Sequence, residues 1–257
     1  RPVIETGVTA IVTGYVGATA KGITTTLGRG GSDYTAAILG ECLDADEVWI
    51  WTDVDGILTA DPKLVPTAHV LHELSYREAE ELAYFGADVL HPKTVAPLAR
   101  RGIPLRILNS FAADHAGTRI VTQPSPERTI LPAIISTQGL TMIGVAGDGS
   151  GWSLLMASRA LRCLAEAGVD VLMFSQSFTE RSLSLVVRER DQEHSVRVLR
   201  KEFEHDLQLH LLAEIGIVEE VATVSVVGSP DAHGTSIASR AFSALGKLGL
   251  RVIAVGQ

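Results

Sequence analysis

A glycine-rich run, Thr24-Thr25-Thr26-Leu27-Gly28-Arg29-Gly30-Gly31-Ser32-Asp33, leads directly into a stretch that reads as a helix over residues 32–42, with Ser32 as its N-cap. Glycines admit backbone conformations barred to other residues, so several N–H groups of such a loop can point at one anion. A helix start adds about half a positive charge and free N–H donors. Arg29 adds a fork that matches a carboxylate or a phosphate. The chemistry on offer is anion binding by Arg29, Gly30, Gly31 and Ser32, with the carboxylate of Asp33 beside them. The plainer alternative is a Gly-rich turn capped by Ser32.

A second group, Trp51-Thr52-Asp53-Val54-Asp55-Gly56-Ile57-Leu58-Thr59-Ala60-Asp61-Pro62-Lys63, follows a short apolar run at 47–51 that reads as a buried strand. Ligands of α/β sheets sit off the carboxyl ends of strands. There Thr52 and Asp53 can bond the base, sugar or phosphate region of a nucleotide, and Lys63 can reach a phosphate. By composition alone, an Asp-Gly turn with solvated acids is the stronger explanation. No Gly-x-x-x-x-Gly-Lys-Ser/Thr loop occurs. In a third group, Gly86-Ala87-Asp88-Val89-Leu90-His91-Pro92-Lys93, His91 reads as a histidine satisfied at a strand-to-helix junction rather than as a ligand. The eight histidines show no metal-binding spacing, and Gly149-Ser150-Gly151 is a loop rather than a nucleophile elbow.

The elements that must hold these groups alternate between strand and helix. Residues 9–16 read as a buried strand. Residues 75–85 read as a helix opened by a Ser75/Glu78 capping box, with Ala79, Leu82 and Ala83 on one face and Tyr76 a turn earlier. Residues 103–108 read as a strand, placed near an edge by Pro104. The alternation favours an α/β layered sheet with parallel connections over residues 1–121. Residues 122–129, with two prolines, read as a linker. Beyond it, a shift of 81 residues lays Val145 on Val226, Ala157-Ser158-Arg159-Ala160 on Ala238-Ser239-Arg240-Ala241, and Gln176 on Gln257 without a gap. Each unit reads strand, helix, strand. The first continues with a strand at 182–187 and a helix near 195–203, a β-α-β-β-α ferredoxin-like pattern over 130–215. The second, 216–257, stops before its matching third strand. That stop, and a start that is not methionine, raise the expectation of a chain cut from a longer one at both ends.

Composition narrows the classes. A chain of 257 residues, 46% hydrophobic and 20% charged, holds one or two domains with a real core and is not a disordered tail. A net charge of −8 argues against a nucleic-acid partner. No apolar run is long enough for a membrane helix, and the start has no signal-peptide pattern. Two cysteines, Cys42 and Cys163, make neither a disulfide framework nor a zinc site, and a cytoplasmic location is the expectation.

The blocks at 24–34, 51–57, 60–63, 75–82 (Ser-Tyr-Arg-Glu-Ala-Glu-Glu-Leu) and 89–94 (Val-Leu-His-Pro-Lys-Thr) resemble aspartokinases in content and in order. The 81-residue repeat resembles the paired ACT regulatory domains that follow the kinase domain in that family. The resemblance covers essentially the whole chain. It implies part of a three-layer amino-acid-kinase domain followed by α+β ferredoxin-like ACT repeats. It also implies transfer of the γ-phosphate of ATP, carried with Mg²⁺, to the side-chain carboxylate of L-aspartate, on the way to lysine, threonine and methionine. By similarity, Arg29, Gly30, Gly31 and Ser32 hold aspartate and Asp33 orients the catalytic apparatus. Thr52, Asp53, Leu58, Lys63, Asp88 and Val89 then take the nucleotide-contact positions. A feedback amino acid, threonine in preference to lysine, is expected between paired ACT units of a homo-oligomer, at Asp148, Gly149, Ser150, Gln176 and Gln257.

Three departures from the family accompany the likeness. The N-terminal Lys-Phe-Gly-Gly motif, which supplies the catalytic lysine, is absent, so the chain by itself is expected to phosphorylate aspartate poorly or not at all. Asp88 stands where a lysine is common, and a carboxylate there repels phosphate. Lys63 and Leu58 replace a common arginine and tyrosine. Two other readings remain: an amino-acid-binding regulatory module without catalysis, and an amino-acid kinase with a different substrate such as glutamate, acetylglutamate or uridylate.

Overall fold

The computed structural model describes residues 4–85, 90–126, 133–147, 154–177, 181–228 and 237–256. After a single 3-10 turn at Ile4–Thr6, β1 (Val16–Ala18) and β2 (Thr24–Thr26) form an antiparallel hairpin. Helix α1 (Gly31–Leu43) ends where Asp44 adopts a left-handed conformation, and β3 (Val48–Thr52) follows. Next come β4 (Glu73–Ser75), α2 (Tyr76–Phe85), α3 (Pro92–Arg101), β5 (Leu105–Asn109) and β6 (Thr118–Val121). The strands form one sheet in the order β3-β5-β6-β4. β3 is parallel to β5 and β4 to β6, while β5 and β6 run antiparallel.

The sheet is amphipathic with period two. Val48 and Ile50 of β3, Leu105 and Ile107 of β5 and Ile120 of β6 share one core with Ala37, Ala79, Leu82, Val95 and Leu98 of the three helices. Each fully buried leucine there is worth about 1.5–3 kcal/mol over an exposed one. On the other face Trp49 and Trp51 remain 55% and 46% exposed, their rings edge to face with centroids 6.2 Å apart. Beside them Glu47 accepts from the Trp49 indole and bridges Arg106 and Arg119, each at 3.3 Å, tying three strands by charge.

The remaining elements are β7 (Ala133–Gly147), α4 (Leu154–Glu166), β8 (Met173–Ser177), β9 (Ser182–Arg188), α5 (Gln192–Glu202), α6 (Glu204–Gln208), β10 (Leu212–Val227) and α7 (Ile237–Lys247). Their sheet has the order β10-β7-β9-β8, the ferredoxin-like arrangement, with β7–β9 and β8–β9 antiparallel. Ile143, Val145, Leu183, Leu185 and Val187 pack with Met156, Ala160 and Leu164 of α4 and Val196 and Leu199 of α5. Arg159 fastens α4: it bonds Glu202 and Asp206 at 2.8 and 2.9 Å, and its guanidinium lies 4.7 Å from the Phe203 ring centre. By Cα proximity the chain falls into two compact units, Arg1–Ile135 with Ser225–Ile237, and Ser136–Val224 with Ala238–Gln257.

Several expectations need correction. Residues 9–14 form no strand, and residues 9–13 are exposed, Ile11 to 98%; their apolar pattern finds no ladder partner among the described residues. β3 is buried on one face only. β5 is an interior strand, because Pro104 stops one residue short of it and contributes only its carbonyl, which accepts from Val48 N–H. The sheet is mixed, since β6 returns from β5 through a short loop rather than a helical crossover. In the second repeat, α7 ends at Lys247 as α4 ends at Glu166, and Gly249 is left-handed like Gly168, but residues 251–256 carry no strand.

The Ser75/Glu78 capping box forms as read: the Ser75 N–H and hydroxyl donate to the Glu78 carboxylate at 2.7 and 2.8 Å, and Glu78 N–H donates back to Ser75 Oγ. Next to it, the buried Tyr76 hydroxyl donates to the carbonyl of Ile103. Burial pushes the Tyr76 phenol up to about 12. A raised acid contributes stability that is whole below its unfolded value near pH 10 and is lost as pH climbs through the folded value. We expect one of the four tyrosines to ionise late in a spectrophotometric titration and stability to fall over that same window; Tyr76→Phe removes the late step.

Candidate functional site

Two helices present their N-termini at the carboxyl end of the parallel β3–β5 pair. α1 joins β3, and α3 joins β5, through short turns, so each helix runs antiparallel to its strand. The α1 start is built on glycine. Gly30 takes the cap position at φ 70, ψ 14, so Ser32 lies inside the helix and is not the cap expected from sequence; no side chain caps this helix. A Cβ on Gly30 would sit 2.6 Å from His91 Cβ, and one on Gly31 would sit 2.9 Å from the Tyr15 ring. Tyr15 is itself held at φ 72, its N–H on Thr35 Oγ1 and its carbonyl accepting from Leu27. Thr35 Oγ1 in turn donates to Gly31 at 2.7 Å. The turn is thus clamped from both sides, while Arg29 and Ser32 remain exposed.

The α3 start behaves differently. His91 is its N-cap, and Nδ1 accepts from the Lys93 N–H at 3.2 Å. The histidine caps a helix as the sequence suggests, but it stands between α2 and α3, and the expected strand before it is not found among the described residues. Its ring also bears on Asp33: burial raises the Asp33 carboxyl above its ordinary value, with the charge of His91 opposing the shift. A helix start without a side-chain cap and one capped by His91 therefore lie side by side; at the first, the Gly31 N–H donates to the Gly28 carbonyl at 3.0 Å, and the Ser32 N–H is the one the turn offers an anion.

Thr52 ends β3 and its hydroxyl donates to Asp53 Oδ1 at 3.2 Å. Asn109, at the matching end of β5, donates to Asp55 Oδ1 at 2.7 Å. The loop closes at Leu58, which bridges Val70. Lys63 is exposed, its N–H on the Asp61 carboxylate. Asp88 and Val89 lie outside the described residues, as do Asp148, Gly149, Ser150 and Gln257. Gln176 is described: it lies in β8 opposite Leu183, and its Nε2 is shielded from solvent without a hydrogen-bond partner among the described residues. Sequence reasoning passed over Tyr15 and Asn109. Neither stands in a motif, and only the fold brings them against the glycine turn and the Asp53–Leu58 loop.

Comparison with known proteins agrees with this architecture. The amino acid kinase family matches residues 1–109, and the ACT domain matches residues 135–203. A bifunctional aspartokinase/homoserine dehydrogenase of Haemophilus influenzae is 39% identical over 96% of this chain, which spans 30% of that relative. The crystal structure of Clostridium acetobutylicum aspartate kinase matches at TM-score 0.81 and 29% identity, over 95% of this chain and 56% of that one. Escherichia coli aspartokinase III in complex with aspartate and ADP matches at TM-score 0.74 and 31% identity, over 95% and 54%. The same enzyme with lysine and aspartate matches at 0.69 and 33%, over 95% and 53%. No described helix is long and apolar enough to cross a membrane.

The raised Asp33 carboxyl yields a stability test. Its ionised form is disfavoured by folding, so its contribution is present below the ordinary carboxylate value and lost as pH rises through the folded value. Asp33→Asn should raise the thermal midpoint at neutral pH, and the gain should vanish in acid; differential scanning calorimetry at the two pH values reads both.

Proposed function

We propose that the chain is part of an aspartokinase, on its similarity to the amino acid kinase family, the ACT domain and the aspartokinases above, and that the protein it comes from phosphorylates the side-chain carboxylate of L-aspartate with ATP. The chain spans less than a third of the Haemophilus influenzae relative's length, so the activity concerns the whole polypeptide. The observation that carries the reading is the uncapped α1 start, clamped at Gly30 and Gly31 and placed at the same sheet end as Thr52 and Asp53. Phosphoryl transfer asks for positioning and for positive charge about developing oxyanions, and the site supplies both.

In this reading Arg29 grips the α-carboxylate of aspartate by its fork, and the Gly30-Gly31 turn with the Ser32 N–H completes the cradle, the Gly31 N–H itself donating to the Gly28 carbonyl at 3.0 Å. Asp33, held near His91, orients the reacting groups. Thr52, Asp53, Leu58 and Lys63 line the nucleotide side, with Asp88 and Val89 as further contacts. Mg²⁺ rides on the phosphates.

The ACT unit supports a second role, feedback control. The orphaned Gln176 amide is a donor waiting for an acceptor such as an amino acid's carboxylate. Asp148, Gly149, Ser150 and Gln257 complete that site in our proposal, with threonine preferred to lysine. β8 is an edge strand of its sheet, and pairing between copies there would make a homo-oligomer. If the chain were a regulatory module alone, it would bind the amino acid without any ADP release on aspartate.

Two measurements test these proposals. In the full-length polypeptide, Arg29→Ala should raise the aspartate KM by on the order of 10–100-fold, the worth of a charged hydrogen-bond pair, and move the ATP KM far less. Equal weakening of both would make the loop structural. Threonine at a hundredfold excess over its dissociation constant should stabilise the fold by about 2.7 kcal/mol. Thermal unfolding with threonine or lysine, beside Gln176→Ala, reads this; a shift surviving in the variant removes Gln176 from the site.

A further inference from the structure

We propose that Thr118 is a positioning residue for the nucleotide side of the site, acting through the backbone of Ile57. The inference rests on the nucleotide reading of Thr52, Asp53 and Leu58 given above. Thr118 opens β6, 61 residues beyond Ile57 in sequence, and is wholly buried. Its hydroxyl accepts from the Ile57 N–H at 2.8 Å. Ile57 is also buried, so this N–H has no access to water if the hydroxyl is lost.

The approach is as close as a backbone allows, and two glycines permit it. Gly56 stands at φ 137, where a Cβ would lie 2.5 Å from Thr118 Oγ1. Gly117 stands at φ 67, where a Cβ would lie 2.0 Å from the carbonyl oxygen of Ile107 in β5. The second glycine lets Thr118 press against β5, and the first lets the loop press against Thr118. The other loop supports do not replace it: Asn109 holds Asp55, and Leu71 N–H donates to the Ile57 carbonyl at 2.8 Å, so that among the described residues the Ile57 N–H is held by Thr118. One hydroxyl therefore sets the height of a loop whose two ends, Asp53 and Leu58, are the nucleotide contacts.

Thr118→Val keeps the shape and deletes the acceptor, whereas Thr118→Ser keeps the acceptor. In the full-length polypeptide, Thr118→Val should raise the ADP dissociation constant and the ATP KM about three- to tenfold and leave the aspartate KM unchanged. Thr118→Ser should restore wild-type values. Hydrogen exchange of the segment spanning residues 53–60 should quicken in Thr118→Val and not in Thr118→Ser. A merely structural role would lower the active fraction without moving either KM. Should the valine variant fail to fold, Thr118→Ala deletes the same acceptor without adding a methyl and carries the same expectation. Unchanged ADP affinity in a folded variant, or an aspartate KM rising in step with that of ATP, overturns the proposal. Wild-type protein that binds no ADP overturns the nucleotide reading itself, a result distinct from normal ADP binding with no effect at Thr118.

Discussion

The packing of α1 against α3 is set by the absence of two side chains. Gly40 lies where a Cβ would meet Val48 at 2.5 Å and Leu98 at 3.1 Å, and Gly30 lies where a Cβ would meet His91. With both ends of α1 free to approach, the helix seats on β3 and α3 together. Ala37, Val95 and Leu98 are then wholly buried, and the two helix starts come level. A larger residue at either glycine would have to push the helices apart, and interiors packed at crystal-like density transmit such a displacement rather than absorb it. The geometry at the Gly30–Asp33 turn is therefore a property of the whole α1–α3 contact.

That contact also explains why charge is handled so differently at neighbouring helix starts. α3 spends its first-turn donor on His91, and a proline covers another position that needs none. α1 has no comparable partner, and its half-buried acid, Asp33, is held against its own desolvation. Site residues in folded proteins commonly sit in conditions the fold would not choose for stability alone. Tyr15, left-handed without being glycine, belongs to the same pattern.

Sequence blocks made much of this legible, because local chemistry has local signatures. The capping box at Ser75 and Glu78 needs only i and i+3 to agree, and it forms as written. The repeat transfers the α4 helix to α7 and the left-handed Gly168 to Gly249. Where partners are distant, sequence falls silent. Ser32 looks like a cap until Gly30 takes the turn, and Pro104 looks like an edge marker until its place just outside β5 is known. The fourth strand of the ferredoxin-like sheet, β10, was hidden because the repeat reads the same residues as the start of a second unit. Asn109 and Thr118 carry no motif, since their roles exist only across 54 and 61 residues of chain.

The tryptophan pair on the open face of β3 makes the molecule report on itself. Trp49 and Trp51 are two indole chromophores with centroids 6.2 Å apart and planes inclined at 66°, close and skewed enough for their electronic transitions to couple. Trp51 is the residue directly before Thr52, near the end of the strand that leads into the Asp53–Leu58 loop. A change in the pitch of that strand end rotates one ring against the other. The circular dichroism couplet of the pair thereby becomes an optical gauge of the strand end that needs no attached dye.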